Sequence, residues 1–390
     1  MDRIRIPDAE YAERAQRAGQ LMTERGLDVL ILNGNEADYA NSRYFTGFWP
    51  VFERAGAAIA PDGAAALLCG PESGLYAQDF GKVDNVFAML EYRESADPAY
   101  PHMTLPGFKD VFASIGVATD QKLRIGVASV LDTNVVIWKA LEEAFPGSEL
   151  VDAREIMVAL RSVKSENEIA CLREATRITQ IATDDVIAKI RPGMTELQLV
   201  GLAQASIYAN GAEYEGLPMY CFSQQSTKHA ISRSSYREIK KGDIVQLNLS
   251  AAIDGYSPSI GMPVSVGPLV GEKRDIVEFI LEMHMWTERE LAAGKNSGSI
   301  AQAYEDRFKE LGREAAYVYG PCHGLGLTEV EAPWMETIST YDLVERMTFQ
   351  IDTFGIGSDF GVRWEKPCVI REGGIEMLSD QIGTIHEIDC

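Results

Sequence analysis

The stretch "QLNLSAAIDGYSPSIG", residues 246–261, has the outline of a catalytic segment: an extended run, a turn at Gly255-Tyr256, and a second extended run. Where such a segment would present paired carboxylates, it presents Asn248 and Ser259. Asn offers one neutral carbonyl oxygen and Ser a weak neutral hydroxyl. Either the chain has given up a metal site or it works without one.

Outward from this stretch the pattern stays extended. Segments 243–253, 262–267, 347–355 and 362–370 read as strands, with helices over 272–294 and 298–312 between them. Towards the amino terminus the character changes near residue 157. "IMVALRSVKSENEIACLREATRITQIATDDVIAKI", residues 156–190, is amphipathic and rich in helix formers, and reads as one long helix. Pro192-Gly193 breaks it, and Thr195 with Glu196 opens the next.

Before residue 157, helices and strands alternate. "AEYAERAQRAGQLMTERG" (9–26) is a helix closed by Gly26, and "LDVLILNG" (27–34) is a short buried strand. "AGAAIAPDGAAALLCG" (55–70) is two strands around a Pro-Asp-Gly turn. "LRIGVAS" (123–129) and "SELVDA" (148–153) flank a helix over 134–145. The alternation indicates an α/β layer. The expected organisation is an α/β domain over 1–160 and an α+β domain over 161–390.

With 390 residues the chain is too long for one ordinary domain, and 46% hydrophobic with 24% charged residues describes a soluble globular protein. The formal net charge of −22 argues against nucleic acid and anionic membranes as partners, because both need a positive surface. No run of about 18 apolar residues spans a bilayer. The opening "MDRIRIPDAEYAER" lacks the apolar core of a signal peptide, so a cytoplasmic protein is expected. The six cysteines (Cys69, Cys171, Cys221, Cys322, Cys368, Cys390) are scattered, without a CxxC pair, and read as reduced thiols.

Few residues can carry chemistry. Of five histidines, His323 sits in the glycine-rich "YGPCHGLGLTEVEAP", where it can be a metal ligand, an acid/base or a structural group. His229 lies in a polar loop, suited to a proton shuttle. His284 packs on a helix face, and His102 and His386 carry no signal. Asp352 lies in the strand "MTFQIDTFGIG", and Arg363 and Glu365 in "GVRWEKPCVI" share one strand face by the period of two. If that face points inward, the charges need partners and a site follows.

Together "RSVKSENEIACLREA", "RPGMTE", "KKGDIVQLNL…DGYSPS", "CHGLGLTEVEAP", "MTFQIDTF" and "GVRWE" resemble, in this order, the creatinase, prolidase and methionine-aminopeptidase superfamily. The resemblance implies a creatinase N-terminal-like α/β domain followed by a pita-bread catalytic domain. In metal-dependent members two Asp, one His and two Glu hold two divalent ions. Laid onto this chain, those positions fall on Asn248, Ser259, His323, Asp352 and Glu365. With Asp352 and Glu365 as the only anions, −2 would face +4, so a two-ion centre is not expected. A second His that prolidase-like peptidases place seven residues after the first falls on Val330, followed by Glu331.

The resemblance is closest in character to metal-free creatinase-type members. It implies a hydrolase of a C–N bond in a small polar amidine, guanidino or amide compound, with no cofactor and as a homodimer. His229, His323, Asp352 and Glu365 are the expected catalytic residues, and Asn248, Ser259, Glu331 and Arg363 the expected substrate-binding ones. One alternative is a single-metal Xaa-Pro dipeptidase-like hydrolase or lyase with its ion on His323, Asp352 and Glu365. The other is a binding protein without catalysis on the same scaffold.

Overall fold

A computed structural model describes residues 3–380 and 383–389. Cys390 lies outside them; the other five cysteines are buried and form no disulfide among the described residues. The chain divides into two compact units, Ile6–Arg161 and a second built from residue 162 onward that also takes in residues 3–5.

The first unit is the alternating layer. Its strands are β1 (Val29–Gly34), β2 (Ala55–Ile59), β3 (Ala65–Cys69), β4 (Val86–Ala88), β5 (Arg124–Val127) and β6 (Glu149–Asp152). They form one sheet in the order β4-β3-β2-β1-β5-β6. The hairpin around Pro61-Asp62-Gly63 pairs Ile59 with Ala65, and Gly63 takes the positive φ of 87° that the turn requires. The helix Asp8–Glu24 buries Tyr11, Ala15, Ala18 and Met22, a spacing that keeps them on one face. The apolar faces of the sheet close a core around Ile31, Leu68, Val111, Phe112, Ile125 and Leu141.

The segment 156–190 is two helices, Arg154–Ser162 and Glu166–Ile187, rather than one. Ser165 stops the run: its hydroxyl accepts from the Glu168 amide, and the Glu168 carboxylate accepts from the Ser165 amide. This reciprocal cap makes a helix start stronger than the apolar continuity across it. Thr195 caps the helix Glu196–Ala209 in the same way through Gln198.

The second unit holds β7 (Tyr220–Ser223), β8 (Ile244–Ser250), β9 (Ser259–Val266), β10 (Cys322–Gly324), β11 (Glu331–Met335), β12 (Thr348–Ile356), β13 (Gly361–Arg371), β14 (Gly374–Met377) and β15 (His386–Ile388). Seven run in the order β11-β10-β12-β13-β9-β8-β7, with β14 beside β13 and β15 beside β9. The helices Glu272–Glu290 and Ser297–Glu310 cover a core that includes Ile280, Met283, Tyr304, Phe308 and Trp364. β9 begins at Ser259, three residues before the apolar pattern does, because residues 259, 260 and 261 complete the ladder with Ser250, Leu249 and Asn248. The β8–β9 connection turns at Asp254 and Gly255, both with positive φ.

Candidate functional site

Strand register lays the site out in rows. Tyr220 of β7 pairs with Asn248 of β8, Asn248 with Gly261 of β9, Gly261 with Glu365 of β13, and Glu365 with Asp352 of β12. Directly opposed residues share a face, so this row projects to one side of the sheet. A second row on the same face runs from Trp334 of β11 to His323 of β10 to Gln350 of β12.

Gly261 is a gap that the row needs. A Cβ there would meet Asn248 Nδ2 at 2.4 Å and Glu365 Cβ at 2.7 Å. Without it, the Asn248 amide donates directly to Glu365 Oε2. Gln246 steadies this amide, donating to Asn248 Oδ1 at 3.1 Å and to the Arg363 carbonyl at 3.0 Å. Asn248 thus serves a carboxylate.

At the centre, His323 is buried, with Nδ1 3.0 Å from the Gly324 carbonyl. A carbonyl only accepts, so Nδ1 carries a proton and Nε2 turns towards Glu329 and Glu365. Nε2 lies 3.8 Å from Glu329 Oε1 and 3.7 Å from Glu365 Oε1, beyond hydrogen-bond reach but close enough for strong electrostatic coupling. His323, Glu329 and Glu365 each bring one donor atom within 4.8 Å of the others. Ser259 donates its hydroxyl to Glu329 at 3.2 Å and receives the Gln350 amide at 2.8 Å.

Glu329 is a member of this cluster that sequence reasoning missed. It lies in a run of bends, residues 326–330, that folds back over His323, and no strand or helix period reaches it. The available signal was its place six residues after His323 behind two glycines.

Asp352 is elsewhere engaged. Its Oδ1 lies 3.2 Å from Arg363 Nε, close enough for charge attraction but not aligned as a hydrogen bond. Its Oδ2 accepts from the Tyr319 hydroxyl at 2.5 Å, and that hydroxyl accepts from Arg363 Nη2 at 2.7 Å. Arg363 Nη2 also donates to the Ala230 carbonyl at 3.0 Å. Tyr319 reaches Asp352 across 33 residues, a separation that no local pattern in the sequence marks.

The electrostatics follow from burial and crowding. Burial pushes Glu329 up, and the neighbouring Glu365 charge pushes it further, well above the usual carboxylate range. Burial works the same way on Glu365, but His323, Glu329 and Arg363 overcome it and hold it at about 2. Crowding thus raises Glu329 while its neighbours lower Glu365. Burial opposes a charge on His323, yet Glu329, Glu365 and Asp352 raise it to about 9. Asp352 is raised, with burial the larger cause and Arg363 pulling against it.

The remaining expected residues fall as follows. His229 is exposed, with Nδ1 3.2 Å from Ser232 Oγ, on the loop fastened to Arg363 through Ala230. Glu331 is tied into a buried pair with Lys164, Nζ to Oε1 2.8 Å, and a carboxylate so neutralised is a structural anchor. Arg363 already serves Asp352, Tyr319 and Ala230, which restricts it as a carboxylate clamp.

Donor chemistry decides which cation fits. A pair of divalent ions needs several anions. Asn248 and Ser259 are neutral, and Asp352 already neutralises Arg363. A two-ion centre does not fit. One ion does: Glu329 and Glu365 can bring −2 against +2, and His323 presents Nε2 with its tautomer fixed from behind. The trio differs from the expected His323, Asp352 and Glu365: Glu329 joins the donors in place of Asp352, which Arg363 and Tyr319 hold.

Comparisons with known proteins agree with this architecture. Residues 170–372 match Metallopeptidase family M24, and residues 14–163 match the Creatinase/Prolidase N-terminal domain. The Xaa-Pro dipeptidase of Pyrococcus furiosus is 24% identical over 372 residues, covering 94% of this chain and 97% of that protein. The creatinase of a Bacillus species is 20% identical over 327 residues, covering 82% and 75%. Among solved structures, the X-Pro aminopeptidase from Thermotoga maritima superposes with a TM-score of 0.82 at 21% identity, covering 96% of this chain and 99% of that one. The expected pairing of a creatinase N-terminal-like domain with a pita-bread domain holds.

Proposed function

The chain belongs to Metallopeptidase family M24, and on that footing we propose that it hydrolyses the C–N bond of a dipeptide or small amide with the help of a single divalent cation. The observation that carries this reading is the convergence of His323, Glu329 and Glu365 within 4.8 Å. It departs from the metal-free expectation because Glu329 adds a carboxylate that the sequence pattern left out, and because Xaa-Pro peptidases recur among the relatives.

His323, Glu329 and Glu365 would hold the ion, which supplies Lewis acidity at a scissile carbonyl and makes a water more acidic. The protein's own groups do the rest. The Asn248 amide and the Ser259 hydroxyl fix the two carboxylates in place. Asp352 Oδ1, buried without a hydrogen-bond partner, is the oxygen left to take a proton from the attacking water. Water's oxygen bonds to the carbonyl carbon, the C–N bond breaks, and the nitrogen leaves with a proton. His229, one residue from the carbonyl fastened to Arg363, supplies that proton.

A second reading has its own observation. The His323 imidazole is raised to about 9 between two carboxylates, so an imidazolium can balance their charge without a metal. Elemental analysis of protein purified without chelator, with hydrolysis of alanyl dipeptides and amides before and after EDTA, separates the two. One equivalent of iron, zinc or manganese with chelator-sensitive turnover supports the first. Metal-free protein with full turnover overturns it in favour of the second.

A further inference from the structure

The donor trio stands between two flanks of different chemistry. One holds Asp352, Arg363 and Tyr319, a hydrogen-bonding surface. The other is Trp334 and the bend beside it. Trp334 pairs directly with His323 across β11 and β10, so both rings project from the same face. Their centroids lie 5.2 Å apart at 45°. His323 is buried, whereas Trp334 is 42% exposed and Val330, next to Glu329, is 45% exposed. Both are apolar side chains left exposed next to residues of the buried centre. The Trp334 carbonyl is held by the Ser339 and Tyr341 hydroxyls at 3.0 and 2.9 Å, which steadies the strand presenting the ring.

The charge on this flank is one-sided. Residues 322–335 contain no Lys or Arg, while Glu329 and Glu331 are both acidic. Lys164 is spent on Glu331. A carboxylate on the part of the substrate lying here would meet an indole face and an acidic neighbour, with no Lys or Arg from residues 322–335 to receive it. A flat apolar group would gain contact with the ring.

We propose that Trp334 is a specificity-determining wall: it receives the amine half of the substrate and selects amides with an apolar, uncharged group there over dipeptides ending in a free carboxylate. This rests on the hydrolytic reading above and narrows its substrate class.

Three probes with one acyl half test it: alanine 2-phenylethylamide, alanyl-phenylalanine, which adds only the carboxylate, and alanine ethylamide, which lacks the ring. Binding by calorimetry and turnover by amine release are both measured on wild type, Trp334→Ala, Trp334→Phe and Trp334→Arg. The phenylethylamide should bind about 10-fold tighter than either other probe, an advantage that Trp334→Ala removes and Trp334→Phe largely keeps. Trp334→Arg should move the preference towards alanyl-phenylalanine. Equal binding of the matched pair by wild type, binding of none at millimolar concentration, or an equal loss for all probes in Trp334→Ala overturns the assignment. Selective binding without amine release of any probe leaves the wall standing and overturns the hydrolytic reading instead.

Discussion

Arg363 Nε lies 3.2 Å from Asp352 Oδ1, a diagonal ion pair between adjacent strands that fixes what Asp352 can do. A carboxylate that balances a buried guanidinium cannot also give its full charge to a cation. Burial opposes the charge on Arg363, but Asp352 and Tyr319 hold it firmly protonated. The pair therefore belongs to the scaffold as much as to the chemistry.

Asp352→Asn separates those roles. It leaves a buried guanidinium with only neutral partners, so stability should fall by about 3 kcal/mol, read as a shift in the urea midpoint at constant slope. Bound metal should stay near one equivalent. Glu329→Gln should do the reverse, with little change in midpoint and ion affinity weakened more than about 100-fold, since losing even second-sphere partners costs about 10–100-fold. Loss of metal in the Asp352 variant alone would return Asp352 to the donor set.

Gly261→Ala tests the gap in the row. The added methyl must displace the Asn248 amide or the Glu365 stem. Overpacking of this kind costs about 1–3 kcal/mol. Turnover should fall more than the midpoint does, because the displaced bond holds Glu365. Unchanged turnover would show that the Asn248–Glu365 contact is dispensable.

Glu196 staples both ends of the loop that carries His229. It is fully buried and accepts from the Ser223 amide and hydroxyl, the Ser226 hydroxyl, and the Ser235 amide and hydroxyl. Glu196→Ala strands these donors at a cost on the order of 3 kcal/mol. Limited trypsin should then cut after the exposed Lys228 and Arg233 at least several times faster than in wild type, scored by mass spectrometry. Resistance equal to wild type would mean that other contacts hold the loop.

Behind the site, on the opposite face of β12 and β13, His284 is buried with Nδ1 3.1 Å from Thr353 Oγ1 and Nε2 3.3 Å from Glu288, which also receives Lys366. Burial lowers the His284 imidazole below its usual value, Lys366 adds to this, and Glu288 pulls the other way. The unfolded chain therefore binds this proton more readily than the folded one. Stability should rise with pH until the unfolded imidazole has titrated, near 6.5, and be lost below that value. His284→Asn should flatten the dependence of the urea midpoint between about pH 5 and 6.5. An unchanged slope would assign it to other groups.

The sequence carried the periodic parts of this molecule. Asn248 and Ser259, 11 residues apart, do meet the central carboxylates, and Arg363 and Glu365 do share an inward face, because a strand's period of two is local information. The helix boundary at Ser165 is also local, a Ser-x-x-Glu cap set within unbroken amphipathicity that masks it. Glu329 and Tyr319 were not legible: one is aimed by a bend, the other reaches Asp352 across 33 residues. The capture of Asp352 by Arg363 depends on a diagonal offset that appears only once strands are paired.

Because Tyr220, Asn248, Gly261, Glu365 and Asp352 come from five different strands in one register, the pocket doubles as a gauge of assembly. A two-residue slip in any ladder keeps every side chain on its proper face and still scatters the row. During refolding, ligand capture should thus lag the recovery of strand content and report the last ladder to lock, which makes the probe molecules above clocks for the sheet's completion.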